Sequence, residues 1–241
     1  MRNTLKLSLA FVAATLAMTV AAAAQSADIP PVAGLSARII QLFLTVTVLS
    51  LAPGIAMMAT SLPFIVIALS ILRQGIGLQQ APPNMLIMGL ALFLTFFVME
   101  PVFVEAWNSG VAPIADQSLT EEEALKRISA PFASFMRDRV DPEAIKTLSD
   151  ARGAALTAEA ETSIALLVPA FVLSEIQRAF EVGFVILLPF LIIDLLVASV
   201  LMAMGMVMVP PSIVALPFKL CFFIMTNGWV AVSGALVRSY A

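Results

Sequence analysis

The sequence predicts an all-α membrane protein, two kinked helical hairpins with a small helical periplasmic insertion, on three observations. Of its 241 residues 61% are hydrophobic and 12% charged, against about 45–50% and about 25% in a soluble domain. The charges are unevenly placed, with long uncharged runs on either side of one crowded stretch from Glu105 to Glu161. Prolines fall inside and between the apolar runs. One compact core could not hide this much apolar surface from water, so the solvent is a membrane. The net charge of −3 leaves no basic footprint for nucleic acid. Histidine is absent and Cys221 is the single cysteine, which removes His-based acid–base catalysis, most zinc and iron sites and any intrachain disulfide. No phosphate-binding glycine loop, CxxC or nucleophile elbow occurs. No enzyme, metal or cofactor is therefore expected.

Residues 1–24 read as an address. Arg2 and Lys6 precede an apolar stretch from Leu7 to Val20, and Ala22-Ala23-Ala24 supply the small residues of a cleavage site. The cut is placed after Ala24, with Ala27 as the alternative. A retained first spanning helix competes with this reading, but the apolar stretch is short for one. Cleavage leaves residues 25–38 as a periplasmic segment beside a bacterial inner membrane. Uncharged runs of 34, 26, 24 and 18 residues then separate Arg38 from Arg73, Arg73 from Glu100, Asp194 from Lys219 and Lys219 from Arg238. A spanning helix needs about 20 apolar residues. Four principal helices are expected, near 40–72, 84–104, 163–208 and 212–236, pairing as hairpins over 39–104 and 162–241.

Pro53 and Pro63 should interrupt the first of these helices, and Pro169 and Pro189 the third, because an interior proline removes a backbone hydrogen bond. The pairs Pro82-Pro83 and Pro210-Pro211 sit between apolar runs and predict hairpin turns, each followed by a fresh helix start.

The stretch 105–161 is the one soluble-looking region. A helix should start at Ser118 or Thr120, followed by three glutamates. Leu125, Ile128, Phe132, Phe135 and Met136 recur at helical spacing, and Asp141-Pro142-Glu143 opens a second helix. Six basic residues, Lys126, Arg127, Arg137, Arg139, Lys146 and Arg152, would by themselves place the region inside. The signal sequence and two crossings place it outside, and the loop nears the length at which the charge rule weakens. The periplasmic side is preferred.

Charges inside apolar sequence are costly and are usually paired or functional. Glu175, Arg178 and Glu181 stand three residues apart in sequence, spacing that allows local pairing along one helix. Asp194 and Lys219 each stand alone. Asp194 lies 16 residues before Pro210 and Lys219 eight after Pro211. Helices folding back at those prolines would put the two charges about 24 and about 12 Å from the turn, at 1.5 Å per residue. A pair within one chain is then disfavoured, and a partner on another subunit is expected. Glu100, before Pro101, should lie near a helix end. Trp107, Trp229 and Tyr240 are placed at helix ends, as interfacial aromatics.

Met202, Met204, Met206 and Met208 alternate ahead of Pro210. Gly205 before and the prolines after suggest a loosened turn near 205–209. Flexible apolar methionines meeting on an axis could make a deformable seal, with core or lipid packing as the plainer reading.

Five strings together resemble the FliP family, a core subunit of the flagellar type III export gate. They are LSILRQGIGLQQAPPN (69–84), GLALFLTFFVMEP (89–101), PAFVLSEIQRAFEVGF (169–184), LLPFLIIDLLVASVLMAMGMVMVPP (187–211) and LPFKLCFF (216–223). The NGW and LVRSY strings also fit, and the resemblance runs in order over about 40–241. It implies about five copies assembling with FliQ- and FliR-like subunits, and with FlhA- and FlhB-like components, into a gate passed by unfolded flagellar proteins. The gate sits in the basal body in the inner membrane. It also implies that Met206, Val207 and Met208 form a gasket around the closed pore, where the family usually has three methionines. The resemblance further implies that helices reading as membrane-spanning pack against other subunits. The sequence departs from the family pattern at Pro63 and Phe64, at Met85 and at Asn227. An ion- or solute-coupled transporter using Glu175, Asp194 and Lys219 is the alternative function.

Overall fold

The computed structural model describes residues 57–78, 81–115, 120–153, 163–206 and 208–240, with helical positions at 38–40, 42, 43, 46, 47, 50 and 54. The expected signal over 1–24 with its cut at Ala24, the segment 25–37, Pro53 and Val207 lie outside the described residues. The chain divides into two units, Met1–Ala52 and Pro53–Ala241. In the first, the Thr47 and Ser50 hydroxyls donate to the carbonyls of Phe43 and Val46 at 2.8 and 2.7 Å, which satisfies both polar groups within an apolar helical stretch.

The second unit is helical throughout its described elements. Helix α1, Leu62–Ile76, has Pro63 in its first turn and stops at Gly77, which takes the left-handed conformation (φ 85°). The turn at 59–61 separates this helix from the helical positions 57 and 58, so the first expected helix is interrupted beside Pro63, which begins the new one as suits a residue without an N–H to leave unpaired. Phe64, Ile65, Ala68, Leu69 and Leu72 are fully enclosed. They form the centre of the main core, with α1 packed against three other helices.

Helix α2, Asn84–Ala106, follows directly from Pro83. Arg73 Nη1 donates to Asn84 Oδ1 and ties the end of α1 to the start of α2. α2 runs through Pro101 into a π-helical turn, Trp107–Val111, and a short helix, Ala112–Ala115. Glu100 is thus inside a continuous helix and not at its end.

Helix α3, Glu121–Arg137, is capped by Thr120, whose Oγ1 accepts from the Glu123 N–H at 3.4 Å. Helix α4, Pro142–Ala151, is capped by Asp141, which accepts from the Glu143 N–H at 2.9 Å. Both starts are the expected ones, because a capping oxygen and a first-turn proline are local signals. The apolar stripe of α3 lies on the bundle: Phe132 meets Phe103 of α2 at 5.8 Å between centroids, and Phe135 meets Tyr240 at 6.1 Å. Leu125, counted in that stripe from its spacing, is exposed.

Helix α5, Ile164–Ala203, is a single helix of 40 residues. Pro169 and Pro189 lie inside it without ending it, which corrects the expected breaks. Each leaves one carbonyl a turn earlier without its usual donor, and the helix continues through both, packed along its length on other helices. At 1.5 Å per residue α5 is about 60 Å long, roughly twice the hydrocarbon thickness of a bilayer. Helices α6, Pro211–Met225, and α7, Gly228–Arg238, meet at a 63° bend. The sequence predicts one helix over 212–236. Asn227 breaks it by adopting φ 49°, a left-handed conformation that asparagine tolerates better than most residues. Gly228 is required next to it, since a Cβ there would lie 2.0 Å from the Phe223 ring. By length and composition Asn84–Val111 and Ile164–Ala203 could each cross a membrane, and the bent pair α6–α7 is a third if taken as one span.

Candidate functional site

The methionine turn is built by its two ends. On the α5 side Gly205 (φ 74°) follows the last helical turn, its N–H bonding to the Met202 carbonyl at 3.0 Å. The Met206 N–H reaches back to the Leu201 carbonyl at 2.9 Å. These two bonds form a Schellman cap, in which a left-handed glycine ends the helix and satisfies its last carbonyls. The Val209 N–H then bonds to the Met206 carbonyl at 3.3 Å, closing a tight turn. On the α6 side Pro210 is the cap and Pro211 the first helical residue. Between these constraints Met208 is 97% exposed and Met206 also projects into solvent. Met202 and Met204 are exposed on the last turn of α5. The expected loosened turn over 205–209 is therefore present, but hydrogen bonds hold it tightly.

Behind this turn, Lys219 Nζ of α6 lies 2.6 Å from Asp194 Oδ2 of α5. The two charges pair within one chain, contrary to the expectation of a partner on another subunit. The reason is the Schellman cap. Counting Asp194's height from Pro210 assumes that α5 runs to the proline, whereas it ends at Ala203. From Ala203 Asp194 is nine residues down, about 13.5 Å, and from Pro211 Lys219 is eight residues along, about 12 Å. The heights match. Lys219 is buried, and Asp194 Oδ1 is enclosed without a donor. Alongside runs an apolar groove of about 330 Å³ lined by Ile193, Leu196, Val197, Val200, Leu201 and Phe218.

Nineteen residues earlier on α5, Glu175 is completely enclosed. Its partner is not Arg178 but Arg139, in the turn between α3 and α4, with Nε 3.3 Å from Oε1. The Tyr240 hydroxyl donates to Oε2. Arg139 also donates from Nη2 to the Ser239 carbonyl at 3.0 Å, and its guanidinium stacks 3.7 Å from the centroid of the Tyr240 ring. Burial first, and then the Glu175 carboxylate, raise the Tyr240 hydroxyl above its ordinary pKa, so it remains a donor. Ser174 completes the knot: its Oγ accepts from the Asp141 N–H and donates to the Ala170 carbonyl, both at 2.8 Å. Tyr240 packs edge-on to Phe64 and parallel to Phe135, so it is a core residue and not a free interfacial aromatic. Glu181 accepts from Gln177 Nε2 at 3.0 Å, and Arg178 pairs with neither glutamate. Arg139 and Tyr240 were not legible as partners of Glu175, since they lie 36 and 65 residues away along the chain. Among the described residues no group of three or more acidic, histidine or cysteine side chains could hold a metal ion.

The family model described as the FliP family matches residues 45–236. A protein of Agrobacterium fabrum named flagellar biosynthetic protein FliP is 48% identical over 208 residues, 85% of each chain. One of Rhizobium meliloti with that name is 46% identical, over 95% of this chain and 97% of its own. One of Bacillus subtilis, again so named, is 39% identical over 83% of this chain and 91% of its own.

Proposed function

The chain belongs to the FliP family, and from that premise we propose that it is a channel-forming subunit of the flagellar type III export gate. In this reading unfolded flagellar proteins cross the inner membrane through a ring of about five copies, assembled with FliQ- and FliR-like subunits and served by FlhA- and FlhB-like components. Met206, Val207 and Met208 close the pore, and the helices over 120–151 lie on the periplasmic side. The observation that carries the reading is the methionine turn itself. Bare, flexible, apolar side chains stand at the tip of a hydrogen-bonded turn between two apolar helices. Several such tips meeting on an axis would exclude water and ions, and methionine's flexibility would let them part around an extended chain.

The large exposed apolar residues of α5, among them Leu191, Leu195, Leu196 and Val200, support burial against sister subunits and lipid. A solute-coupled transporter would need intramembrane charges free to take up an ion. Here Glu175 is held by Arg139 and Tyr240, and Asp194 by Lys219. Nothing in the geometry favours that alternative.

The test is a joint one on the full chain expressed with its FliQ- and FliR-like partners. A multi-copy native complex is expected. Replacing both Met206 and Met208 by Ala should leave its size unchanged and raise its potassium chloride conductance in planar bilayers several-fold. A monomer or dimer, or a double variant as tight as the parent, would remove the pore assignment.

A further inference from the structure

A second groove lies between α5 and α7, away from the methionine turn. Its volume is about 450 Å³, within the roughly 300–1,000 Å³ of ligand sites. Val182, Val185 and Ile186 of α5 and Ala231, Val232 and Ala235 of α7 line it. Glu181 lines it too, yet almost no polar surface faces the cavity. The Glu181 carboxylate is bonded instead to Gln177, 3.0 Å from Nε2.

Along this groove the two helices run antiparallel. Tyr240, just past the end of α7, bonds to Glu175, while Trp229, at the start of α7, packs on Phe223, which meets Phe190. The face of α5 that carries Val182 and Val185 continues one turn back to Arg178. The face of α7 that carries Ala231 and Ala235 continues one turn on to Arg238. Both arginines therefore stand at one end of the groove. Arg178 acts electrostatically on the hydroxyl of Tyr240, which lies two residues from Arg238. The Arg238 guanidinium folds back over Gly234, with Nη1 3.2 Å from where a Cβ there would sit. Among the described residues neither arginine forms an ion pair.

The same end is where the charged helices α3 and α4 are tied on. Ser174 and Glu175 grip the turn between them about one helical turn from Arg178. From there the groove runs into the apolar part of the bundle, about 12 Å from Arg178 to Ile186 at 1.5 Å per residue. Two cations beside the water-facing helices, with an apolar slot leading away from them, are the complement of a phosphate head and its acyl chain. An apolar face of another copy would fill the slot but strand both arginines without a counter-charge. We propose that the α5–α7 groove binds one anionic phospholipid per copy, with an acyl chain laid along Val185 and Val232 and the phosphate held by Arg178 and Arg238. The lipid fills the gap between the two helices and fixes the depth of the bundle in the bilayer. This site is independent of whether the methionine turn closes a pore.

The experiment uses the whole native complex, stripped of lipid in detergent and then given dioleoylphosphatidylglycerol or dioleoylphosphatidylcholine. Native mass spectrometry counts the lipid retained per copy and reads the size of the complex. The parent is expected to keep one phosphatidylglycerol per copy and to prefer it several-fold over phosphatidylcholine. R178Q/R238Q should lower that retention several-fold at unchanged size. A235W, which fills the slot and leaves both charges, should do the same. R137Q/R152Q removes as much charge from exposed positions on α3 and at the end of α4, and should bind like the parent. Parent-level retention in R178Q/R238Q or in A235W, an equal loss in R137Q/R152Q, or no preference for phosphatidylglycerol would overturn the proposal. So would a smaller complex in A235W where R178Q/R238Q keeps full size, which would give the groove to another copy of the chain. If R178Q/R238Q does not assemble, R238Q alone carries the test, since Arg238 is exposed. Lower retention then supports the lipid site, while parent-level retention or failure to assemble overturns it.

Discussion

Helix α5 carries two buried charge sites nineteen residues apart, and they are built on opposite principles. At Glu175 three parts of the chain converge: Arg139 and Tyr240 each contribute a donor, and Ser174 binds the neighbouring turn. At Asp194 there is one bond, to Lys219, and one enclosed oxygen without a donor. A fully partnered buried network rigidifies its surroundings, and an enclosed oxygen without a donor carries a desolvation cost. The first site ties the turn between α3 and α4 to α5, and the second joins α5 to α6 behind the methionine turn.

The sharpest way to break the comparison is to unpair both sites and ask whether they cost the same. R139A strands a carboxylate with no exposure, and breaking a buried pair from one side costs about 3–5 kcal/mol. The expected outcome is a large fall in the thermal midpoint of the detergent-solubilised chain and a low steady-state level in cells. K219M strands a carboxylate whose side chain is 38% exposed and should cost less, about 1–3 kcal/mol. Equal losses in the two variants would erase the distinction between the two sites. E175Q should be milder than R139A, because it removes the fully enclosed charge and leaves unpaired only Arg139, which is 13% exposed and keeps its bond to the Ser239 carbonyl.

Next in size is Y240F. It deletes one donor to Glu175 and leaves the ring packed on Phe64 and Phe135, for a loss of about 1–3 kcal/mol. Its pH dependence sharpens the assignment. Tyr240 titrates higher when folded than the ordinary phenol near 10. A raised folded value contributes stability that is complete below the unfolded value and is lost as pH rises past it. Stability of the parent should therefore fall above about pH 10, and Y240F should lack that component of the fall. Parallel curves for the two would mean that the hydroxyl is not enclosed against the carboxylate.

The two sites also differ in how far they could be read from sequence. Helix starts at Thr120, Asp141 and the two Pro-Pro pairs were legible because capping and first-turn proline are written within three or four residues. Glu175's partners were not, since Arg139 and Tyr240 lie 36 and 65 residues away. The local Glu175–Arg178–Glu181 spacing pointed instead to pairing along one helix, which long-range packing overrode. Asp194 and Lys219 were legible as charges and misread as a pair, because one left-handed glycine shortens α5 by several residues. Pro169 and Pro189 were misread for the opposite reason: a local rule predicted breaks, and α5 continues through both prolines. The bend at Asn227 had a signal in the sequence, Asn-Gly, that a run of apolar residues on both sides concealed.

The smallest expected effect is at Ser174, and it decides how cooperative the Glu175 knot is. Its hydroxyl links the Asp141 N–H to the Ala170 carbonyl. S174A unpairs a partly buried N–H and should cost about 0.5–1.5 kcal/mol taken alone. If Ser174 and Arg139 act as one unit, the double variant S174A/R139A should lose no more than R139A, because the turn carrying both Arg139 and Asp141 will already have come away from α5. If they act independently, the losses should add to within about 0.5 kcal/mol. Sub-additivity is the expected result, since the two groups sit on one turn and grip adjacent residues of α5. Strict additivity would reduce the knot to separate contacts, and with it the contrast with the single bond at Asp194.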